Sequence, residues 1–318
     1  MKLVMGGRHS DEFIASLRRE FPTVDFVVAP TPEDVLRLAP DAEVIYGWGV
    51  ISHAVLVAAK QLKWVHGPAA GSEWIRSVPE IIDMPIAVTN GRGAFAATIA
   101  ESAFAMLLYL TRCIGAHAAN QKLHAWAPPA RTQHVGISGM TLGVVGIGKI
   151  GTAIADRGHA FAMDVIACDA HDVARPDYVK RFWKLDGLDE LLKASDVVMV
   201  TVPITPESRG MISATRLALM KRGSYLIVVS RGGIIDEAAL PGFLHSGHLA
   251  GAGLDATDPE PLPADSPLWD APNMIITPHT SGWSNQTNAA VAEVFKENLR
   301  RYVAGQPLFT PVDKQLGY

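Results

Sequence analysis

The chain is poor in cysteine and carries no strong excess of either charge. Its 318 residues include only two cysteines, Cys113 and Cys168, which stand far apart and in no metal-ligand spacing. This scarcity excludes a disulfide framework, gives no support to a metal centre and is typical of a reducing compartment. Lys and Arg number 28 against 32 Asp and Glu, and no long basic run occurs. These charges disfavour nucleic acid and anionic membrane surfaces as partners.

Long hydrophobic runs are also missing. The longest apolar stretch, residues 103–110, falls far short of the roughly 18 residues that span a bilayer. The apolar run at the start of the chain ends within a few residues, so it predicts a first strand rather than a signal peptide. We therefore expect a cytoplasmic protein without membrane contact. A composition of 48% hydrophobic and 19% charged residues allows a substantial core, and the length favours two domains.

Short apolar runs alternate with helical patterns, and this predicts an α/β protein with two doubly wound parallel sheets. Five strands are expected before residue 90, at 3–5, 26–29, 44–46, 64–66 and 86–88. Six more are expected after it, at 142–145, 165–168, 197–200, 226–229, 251–254 and 274–276. The later runs are mostly continuous rather than alternating, as expected for strands covered on both faces.

Between and after the two series the chain changes character. Residues 94–112 predict one long helix without Pro or Gly, and residues 115–138 look irregular. A helical pattern returns at 286–304, and the Pro-containing tail 305–318 follows it. We expect this tail to pack back on the first domain, which would make that domain discontinuous.

A glycine-rich turn follows the first strand of the second series and opens a helix. Its residues are Gly146, Ile147, Gly148, Lys149, Ile150 and Gly151. In such a turn the first glycine permits the sharp bend, the second allows backbone to approach a pyrophosphate, and the third allows close helix packing. Helix-end N–H groups then hold the phosphates. The strand–turn–helix context predicts a dinucleotide-binding site rather than a glycine-rich turn without a ligand.

The next strand ends in Asp169, which lies 18 residues after Gly151. An acid at this place accepts hydrogen bonds from the ribose hydroxyls and repels a 2′-phosphate. The adjoining Ala170-His171-Asp172 offers no arginine, so NAD is favoured over NADP as the cofactor. A protonated His171 is the residue that could weaken this preference.

Three polar residues follow three predicted strands of the same sheet: Arg231, Glu260 and His279. Ligands of open α/β sheets gather at the carboxyl ends of the strands. Taken singly, the arginine could be a surface ion-pair partner, the glutamate a loop charge and the histidine a structural group. Together with a dinucleotide site they indicate hydride transfer to or from an oxyacid.

The sequence around these residues resembles the D-isomer-specific 2-hydroxyacid dehydrogenases. The resemblance is carried by residues 196–210, by Ser230-Arg-Gly-Gly-Ile-Ile-Asp-Glu, by Ala252-Gly-Leu-Asp255-Ala-Thr-Asp-Pro-Glu260-Pro and by Thr277-Pro-His279. It is dense from about residue 90 to 282 and looser before that. It implies a Rossmann NAD-binding domain, residues 98–285, inserted into a smaller flavodoxin-like substrate-binding domain of residues 1–97 and 286–318. It also implies a homodimer.

The resemblance assigns the catalytic roles. Arg231 is expected to bind the substrate carboxylate and carbonyl, a task that suits a bidentate guanidinium. His279 is expected to exchange a proton with the substrate oxygen. Glu260 is expected to hold the imidazole and favour its charged form. Thr98, Pro203 and Asp255 are matched to positions near the cofactor.

The first domain is expected to bind the substrate carboxylate. The loop Gly67-Pro-Ala-Ala70-Gly71 resembles the family's carboxylate-binding loop, so Ala70 and Gly71 are the candidates, although the same loop could be an ordinary tight connection. Trp48 and Trp283 are candidates for the substrate pocket, and they could equally be buried or interface residues.

The resulting hypothesis is an NAD-dependent 2-hydroxyacid dehydrogenase that works as a 2-ketoacid reductase and needs no metal. Two alternatives stay open: an NADP-preferring glyoxylate or hydroxypyruvate reductase, and a non-catalytic NADH-sensing protein like the related co-repressors. Val228 stands where an Asn usually precedes the arginine, and Ala162 and Ala256 also depart from the family pattern. These departures point to a divergent branch whose ketoacid is not specified by the resemblance.

Overall fold

The computed structural model describes all residues, 1–318, and the chain forms two compact units. The first consists of Met1–Phe95 together with Ser284–Tyr318, and the second of Ala96–Trp283. Each unit contains one parallel sheet covered by helices on both faces, so the predicted α/β class with two doubly wound sheets is confirmed.

The sheet of the first unit has five strands in the order β2-β1-β3-β4-β5, all parallel. The strands are β1 (Lys2–Gly6), β2 (Asp25–Ala29), β3 (Val44–Tyr46), β4 (Trp64–Gly67) and β5 (Ala87–Asn90). This is the flavodoxin-like order, which reverses between β1 and β3. The central strands are buried on both faces, which explains why they read as continuous apolar runs.

Three helices connect these strands: α1 (Asp11–Glu20), α2 (Pro32–Leu38) and α3 (His53–Ala58). Each begins after a hydroxyl residue whose oxygen accepts a hydrogen bond from a first-turn backbone N–H; these residues are Ser10, Thr31 and Ser52. Caps of this kind contribute about 1 kcal/mol each. They fix the residue at which each of the three helices begins.

The sheet of the second unit has seven parallel strands in the order β12-β11-β10-β9-β6-β7-β8. They are β6 (Thr141–Val145), β7 (Asp164–Asp169), β8 (Arg181–Lys184), β9 (Val197–Val200), β10 (Ser224–Val228), β11 (Leu249–Leu254) and β12 (Met274–Ile276). The order runs outward in both directions from β6 and β9, as in a Rossmann sheet with one added strand. The carboxyl ends of β6 and β9 therefore form the switch point at which dinucleotides bind.

Six helices belong to the second unit. They are α4 (Ala96–Thr111), α5 (Ile114–Lys122), α6 (Lys149–Ala160), α7 (Leu188–Ala194), α8 (Ala214–Leu217) and α9 (Leu240–His245). Helix α4 is the predicted long helix, and it packs against α6 and β11.

Two predictions for this unit were wrong. The irregular segment expected from residue 115 begins instead as α5, a helix in which no residue is buried. Since α5 presents no apolar stripe to a core, its sequence lacks the periodicity that predicts a helix. Strand β8 was not predicted at all. It is an edge strand with no buried residue, and Arg181 lies over the ring of Trp183 at 5.3 Å, so its sequence lacks an apolar run.

The chain returns to the first unit through α10 (Thr287–Val303), which buries Phe295 and Leu299. The buried amide of Asn298 then holds the tail, because its oxygen accepts hydrogen bonds from the backbone N–H groups of Phe309 and Thr310 at 2.9 and 3.2 Å. Residue 311 pairs with Thr89 of β5. The last segment therefore closes the edge of the first sheet.

No single helix is long and apolar enough to cross a membrane; only α4 and α5 taken together, bent by 69°, meet the length and composition of a span.

Candidate active site

Arg231, Glu260 and His279 follow three neighbouring strands of the second unit. Arg231 comes three residues after β10, Glu260 six after β11 and His279 three after β12. These strands pair side by side in parallel, so their carboxyl ends lie at one edge of the sheet. The structure thus brings the loops of the three predicted residues to the same edge.

The imidazole of His279 is paired with the carboxylate of Glu260. The distance from Nδ1 to Oε2 is 3.0 Å, and the two side chains are 42% and 41% exposed. Because a carboxylate only accepts hydrogen bonds, Nδ1 carries the proton of this bond. Nε2 is then the nitrogen that can exchange a proton with a ligand.

The loop that carries His279 is fastened by Asp255, a carboxylate that is almost completely buried. Its Oδ1 accepts from the Thr277 hydroxyl at 2.5 Å and from the Thr280 N–H at 2.9 Å, and both of its oxygens accept from the Ser281 N–H. The His279 N–H also donates to the Asp255 carbonyl at 2.7 Å. Asp255 therefore holds the loop that carries His279. Its predicted contact with a cofactor stays a prediction.

The loop of Arg231 is packed against the loop that leads to Glu260. A Cβ placed on Gly232 would lie 2.0 Å from the carbonyl carbon of Thr257, so only glycine allows these two backbones to meet. Arg231 itself is partly buried, and its Nη1 donates to the carbonyl of Ser230 at 2.7 Å. The Thr257 N–H donates to Oε1 of Glu260 at 3.2 Å. This bond holds the Glu260 oxygen that does not pair with His279.

The glycine-rich turn between β6 and α6 has the geometry of a phosphate cradle. Gly146 has a φ of 90°, and Gly148 is the N-cap of the 12-residue helix α6 without a side chain to cap it. A Cβ on Gly151 would lie 1.9 Å from the Gly146 carbonyl oxygen, so the helix start packs directly on the turn. The first-turn N–H groups of α6, which include those of Lys149 and Ile150, have no helical partner and suit a phosphate.

Asp169, at the end of β7, reaches the same turn. Its Oδ2 accepts from the Ile147 N–H at 2.8 Å, and its Oδ1 accepts from the His171 N–H at 3.1 Å. Nearby, Arg175 is bound to Asp172 at 3.0 Å and lies over the Phe182 ring at 4.1 Å.

The switch point also contains one residue that sequence reasoning missed, Thr201. Its hydroxyl donates to the carbonyl of Gly146 at 2.6 Å and so supports the turn from the neighbouring strand. Its position directly after β9 is the signal that could have identified it. Pro203 follows two residues later, where its carbonyl accepts from Ser208 at 2.7 Å, and Thr98 lies in the first turn of α4.

The substrate candidates of the first unit follow β3 and β4. Trp48 is exposed and packs beside Gly67. Ala70 and Gly71 are partly buried, and the Ala70 carbonyl accepts from the side-chain amide of Asn90 at 2.7 Å. Trp283, the last residue of the second unit, is largely exposed. No group of three or more His, Cys, Asp or Glu side chains is placed to hold a metal ion.

The chain is similar to known proteins over most of its length. A family model described as D-isomer specific 2-hydroxyacid dehydrogenase, NAD binding domain, matches residues 104–281. A glyoxylate reductase from Korarchaeum cryptofilum is 36% identical over 80% of this chain and 77% of its own length. A D-3-phosphoglycerate dehydrogenase from Archaeoglobus fulgidus is 31% identical over 98% of this chain, which spans only 59% of that longer protein.

Solved structures extend the similarity to both units. A D-isomer specific 2-hydroxyacid dehydrogenase family protein from Aeromonas salmonicida has a TM-score of 0.83 at 31% identity, over 98% of this chain and 99% of that one. D-Lactate dehydrogenase from Aquifex aeolicus, complexed with NAD and lactic acid, has a TM-score of 0.75 at 26% identity, over 95% and 96%. The NADPH-dependent glyoxylate/hydroxypyruvate reductase of Sinorhizobium meliloti, in complex with NADP and sulfate, has a TM-score of 0.83 at 25% identity, over 100% and 99%.

Proposed function

The chain belongs to the D-isomer-specific 2-hydroxyacid dehydrogenase family, and on that premise we propose that it reduces small 2-ketoacids with NADH. The observation that carries the proposal is the His279–Glu260 pair, whose Nδ1 and Oε2 atoms are 3.0 Å apart. The same sheet edge carries Arg231 and the glycine-rich turn between β6 and α6, here called the glycine cradle. A proton donor and a carboxylate-binding cation beside a dinucleotide cradle are what reduction of a ketoacid requires.

Each residue has a distinct part in this mechanism. The bound nicotinamide supplies the hydride. The Arg231 guanidinium binds the substrate carboxylate and polarises the ketone, which orients the carbon that is reduced. The charged imidazole of His279 gives its Nε2 proton to the ketone oxygen and becomes neutral. Glu260 keeps a proton on Nδ1, so that Nε2 is the nitrogen that exchanges a proton with the substrate. General acid catalysis of this kind contributes about 10²–10⁴-fold.

The first unit is assigned to substrate binding, with backbone N–H groups of Ala70 and Gly71 for the carboxylate and with Trp48 near the side chain. Trp283 is a second candidate for the side-chain pocket. The second unit is assigned to NAD, with Thr98, Pro203 and Asp255 near the cofactor. The assignments of Ala70, Gly71, Thr98, Pro203 and Asp255 rest on the family resemblance at their positions. Trp48 is a candidate because it packs beside Gly67, and Trp283 because it follows His279 by four residues.

NAD is proposed over NADP because of Asp169. Its carboxylate is fixed against the glycine turn through the Ile147 N–H, where it would repel a 2′-phosphate. The loop after β7 contains Arg175, which pairs with Asp172 and lies over the ring of Phe182. Rates with NADH and NADPH decide between the cofactors. Asp169→Ala should narrow a preference for NADH, and a wild-type preference for NADPH would contradict the assignment.

The function is tested by a screen of NADH oxidation with glyoxylate, hydroxypyruvate, pyruvate, phenylpyruvate and phosphohydroxypyruvate. We expect turnover with at least one of them. Tight NADH binding without turnover on any ketoacid would replace the proposal with the NADH-sensing alternative.

A homodimer is proposed from the surface of α5 and the segment after it. Helix α5 has no buried residue, and Leu123 and Trp126 are largely or fully exposed, a surface of the kind that a second copy covers. Light scattering should report a dimer, and Trp126→Ser with Leu123→Ser should produce monomers. Leu36→Ser, at another exposed leucine, is the control. A wild-type monomer would refute the proposal.

A further inference from the structure

Glu237 lies six residues after Arg231, between β10 and α9, and its side chain is partly buried. Neither the glycine cradle nor the His279–Glu260 pair uses it. Its side chain nevertheless accepts hydrogen bonds from two active-site loops.

The two oxygens of Glu237 are bound to different loops. Oε1 accepts from the Gly233 N–H at 2.8 Å, in the loop that carries Arg231. Oε2 accepts from the Asp258 N–H at 3.1 Å, in the loop that carries Glu260. A single carboxylate therefore links the two loops, which are more than 20 residues apart in sequence.

Other contacts make this link stiff. The backbones of Gly232 and Thr257 are in direct contact, and Gly233 has a φ of 74° that a residue with a side chain rarely adopts. Arg209 pairs with Asp258 at 2.7 Å on the outer side of the link. A displacement of either loop would therefore be transmitted to the other.

We propose that Glu237 is a positioning residue for the reaction, which sets the spacing between the Arg231 guanidinium and the Glu260–His279 pair by holding both loops. The inference rests on the function proposed above. Misplacement of a substrate-orienting group by about 1 Å costs on the order of 10²-fold in rate, so the link should matter for catalysis although Glu237 does not touch the substrate.

The link requires the ionised form of Glu237, because only a carboxylate accepts hydrogen bonds equally at both oxygens. Burial raises the pKa of Glu237, and the neighbouring carboxylates of Asp258 and Glu260 raise it further, against the lowering effect of the two N–H bonds. Arg209 pairs with Asp258, and His279 pairs with Glu260, so both are neighbours of the two carboxylates that act on Glu237. On acidification Glu237 should take up a proton at a higher pH than an ordinary glutamate and release one of the two loops.

The test uses Glu237→Gln and Glu237→Ala in the full-length protein. Gln keeps one carbonyl oxygen but turns an amide donor toward the second backbone N–H, so it holds one loop only. Glu190→Gln is the matched control, since Glu190 lies exposed on α7 and pairs with Lys193. For the best ketoacid we expect kcat/KM to fall about 10-fold in Glu237→Gln and about 100-fold in Glu237→Ala. NADH affinity should stay within about twofold of wild type, and the control should be unchanged.

The pH profile separates positioning from a merely structural role. Protonated Glu237 and the side-chain amide of the Glu237→Gln variant each offer one carbonyl acceptor, so the two proteins become alike in acid. The ratio of wild-type to Glu237→Gln kcat/KM should therefore be largest near neutral pH and shrink toward one on acidification. Arg209, Asp258 and Glu260 are present in both proteins, so their titration largely cancels in the ratio. A ratio that does not change with pH would overturn the proposal, as would wild-type kcat/KM in Glu237→Gln.

Hydrogen exchange gives a readout that does not depend on activity. At least one of the amides of Gly233 and Asp258 should exchange at least about 10-fold faster in Glu237→Gln, which keeps a single acceptor oxygen, while those of the glycine cradle keep their wild-type rates. Unchanged exchange at both amides would refute the link, even if Glu237→Ala fails to fold. If the wild-type protein reduces no ketoacid, the proposed function fails, and the exchange data still decide whether Glu237 joins the loops.

Discussion

Acidification should destabilise the first unit mainly through His66, which lies in β4 and is completely buried. The Trp64 indole N–H donates to the Thr89 hydroxyl oxygen at 2.8 Å, and His66 Nδ1 is hydrogen-bonded to the same oxygen, also at 2.8 Å, while the buried His66 Nε2 has no hydrogen-bond partner. The rings of Tyr46 and Phe295 lie 5.5 and 5.0 Å from the imidazole. His66 therefore lies inside an aromatic cluster with a single hydrogen-bond partner, an environment that disfavours the charged imidazole.

The size of the effect follows from the pKa. Burial lowers the pKa of His66 from 6.5 to about 3. Between these two values the unfolded chain binds a proton that the folded chain does not, so stability falls as the pH falls through this window. The loss between about pH 7 and about pH 4.5 is about 2.5 kcal/mol, and the limit at still lower pH is about 5 kcal/mol.

Urea unfolding at the two pH values, followed by tryptophan fluorescence, measures this loss. His66→Gln removes the titrating group, so its free energy of unfolding should lose about 2.5 kcal/mol less than that of wild type. His124→Gln, at an exposed histidine, is the control and should behave like wild type. Equal losses in wild type and His66→Gln would refute the assignment of the acid sensitivity to this residue.

Three further changes test the fold and the site. Asp255→Ala should lower the free energy of unfolding by about 3 kcal/mol in urea, because it leaves buried N–H groups without a partner, and should lower ketoacid turnover as well; an unchanged turnover would show that the His279 loop does not need it. Gly151→Val should abolish NADH binding in a fluorescence titration, because the new side chain overlaps the turn, whereas Gly242→Ala, with nothing within 4 Å, should bind normally. Asn298→Ala should free the tail and cost about 2 kcal/mol, detected as faster proteolysis after α10, and a wild-type digestion pattern would contradict the role of its amide.

The sequence was sufficient to predict the central strands because each of them is a short continuous apolar run. Strand β9, for example, is Val-Val-Met-Val and is buried throughout. Strand β8 and helix α5 escaped prediction for the opposite reason, since neither buries a residue and neither repeats at the period of its structure. Elements at the edge of a fold depend on a few contacts that leave no pattern in the sequence.

The site divides in the same way. Arg231, Glu260 and His279 could be predicted because each is an ionisable residue that follows a predicted strand. Apart from the Glu260–His279 pair, the contacts that hold their loops could not be predicted. The carboxylate of Asp255 is bound to a loop more than 20 residues further on, and the Glu237 link depends on β10 and β11 being neighbours. Such pairings follow from the order of strands in the sheet, which the spacing of residues along the chain does not contain.

The most direct test of the account is the turnover of His279→Gln with the best 2-ketoacid and NADH. If Nε2 of His279 supplies the proton, kcat should fall by about 10²–10⁴-fold while NADH binding stays at the wild-type level. Glutamine can donate a hydrogen bond to Glu260, but its amide is far too weak an acid to protonate the ketone oxygen. A variant that retains wild-type kcat within a few-fold would contradict the central claim that this pair carries out the proton transfer.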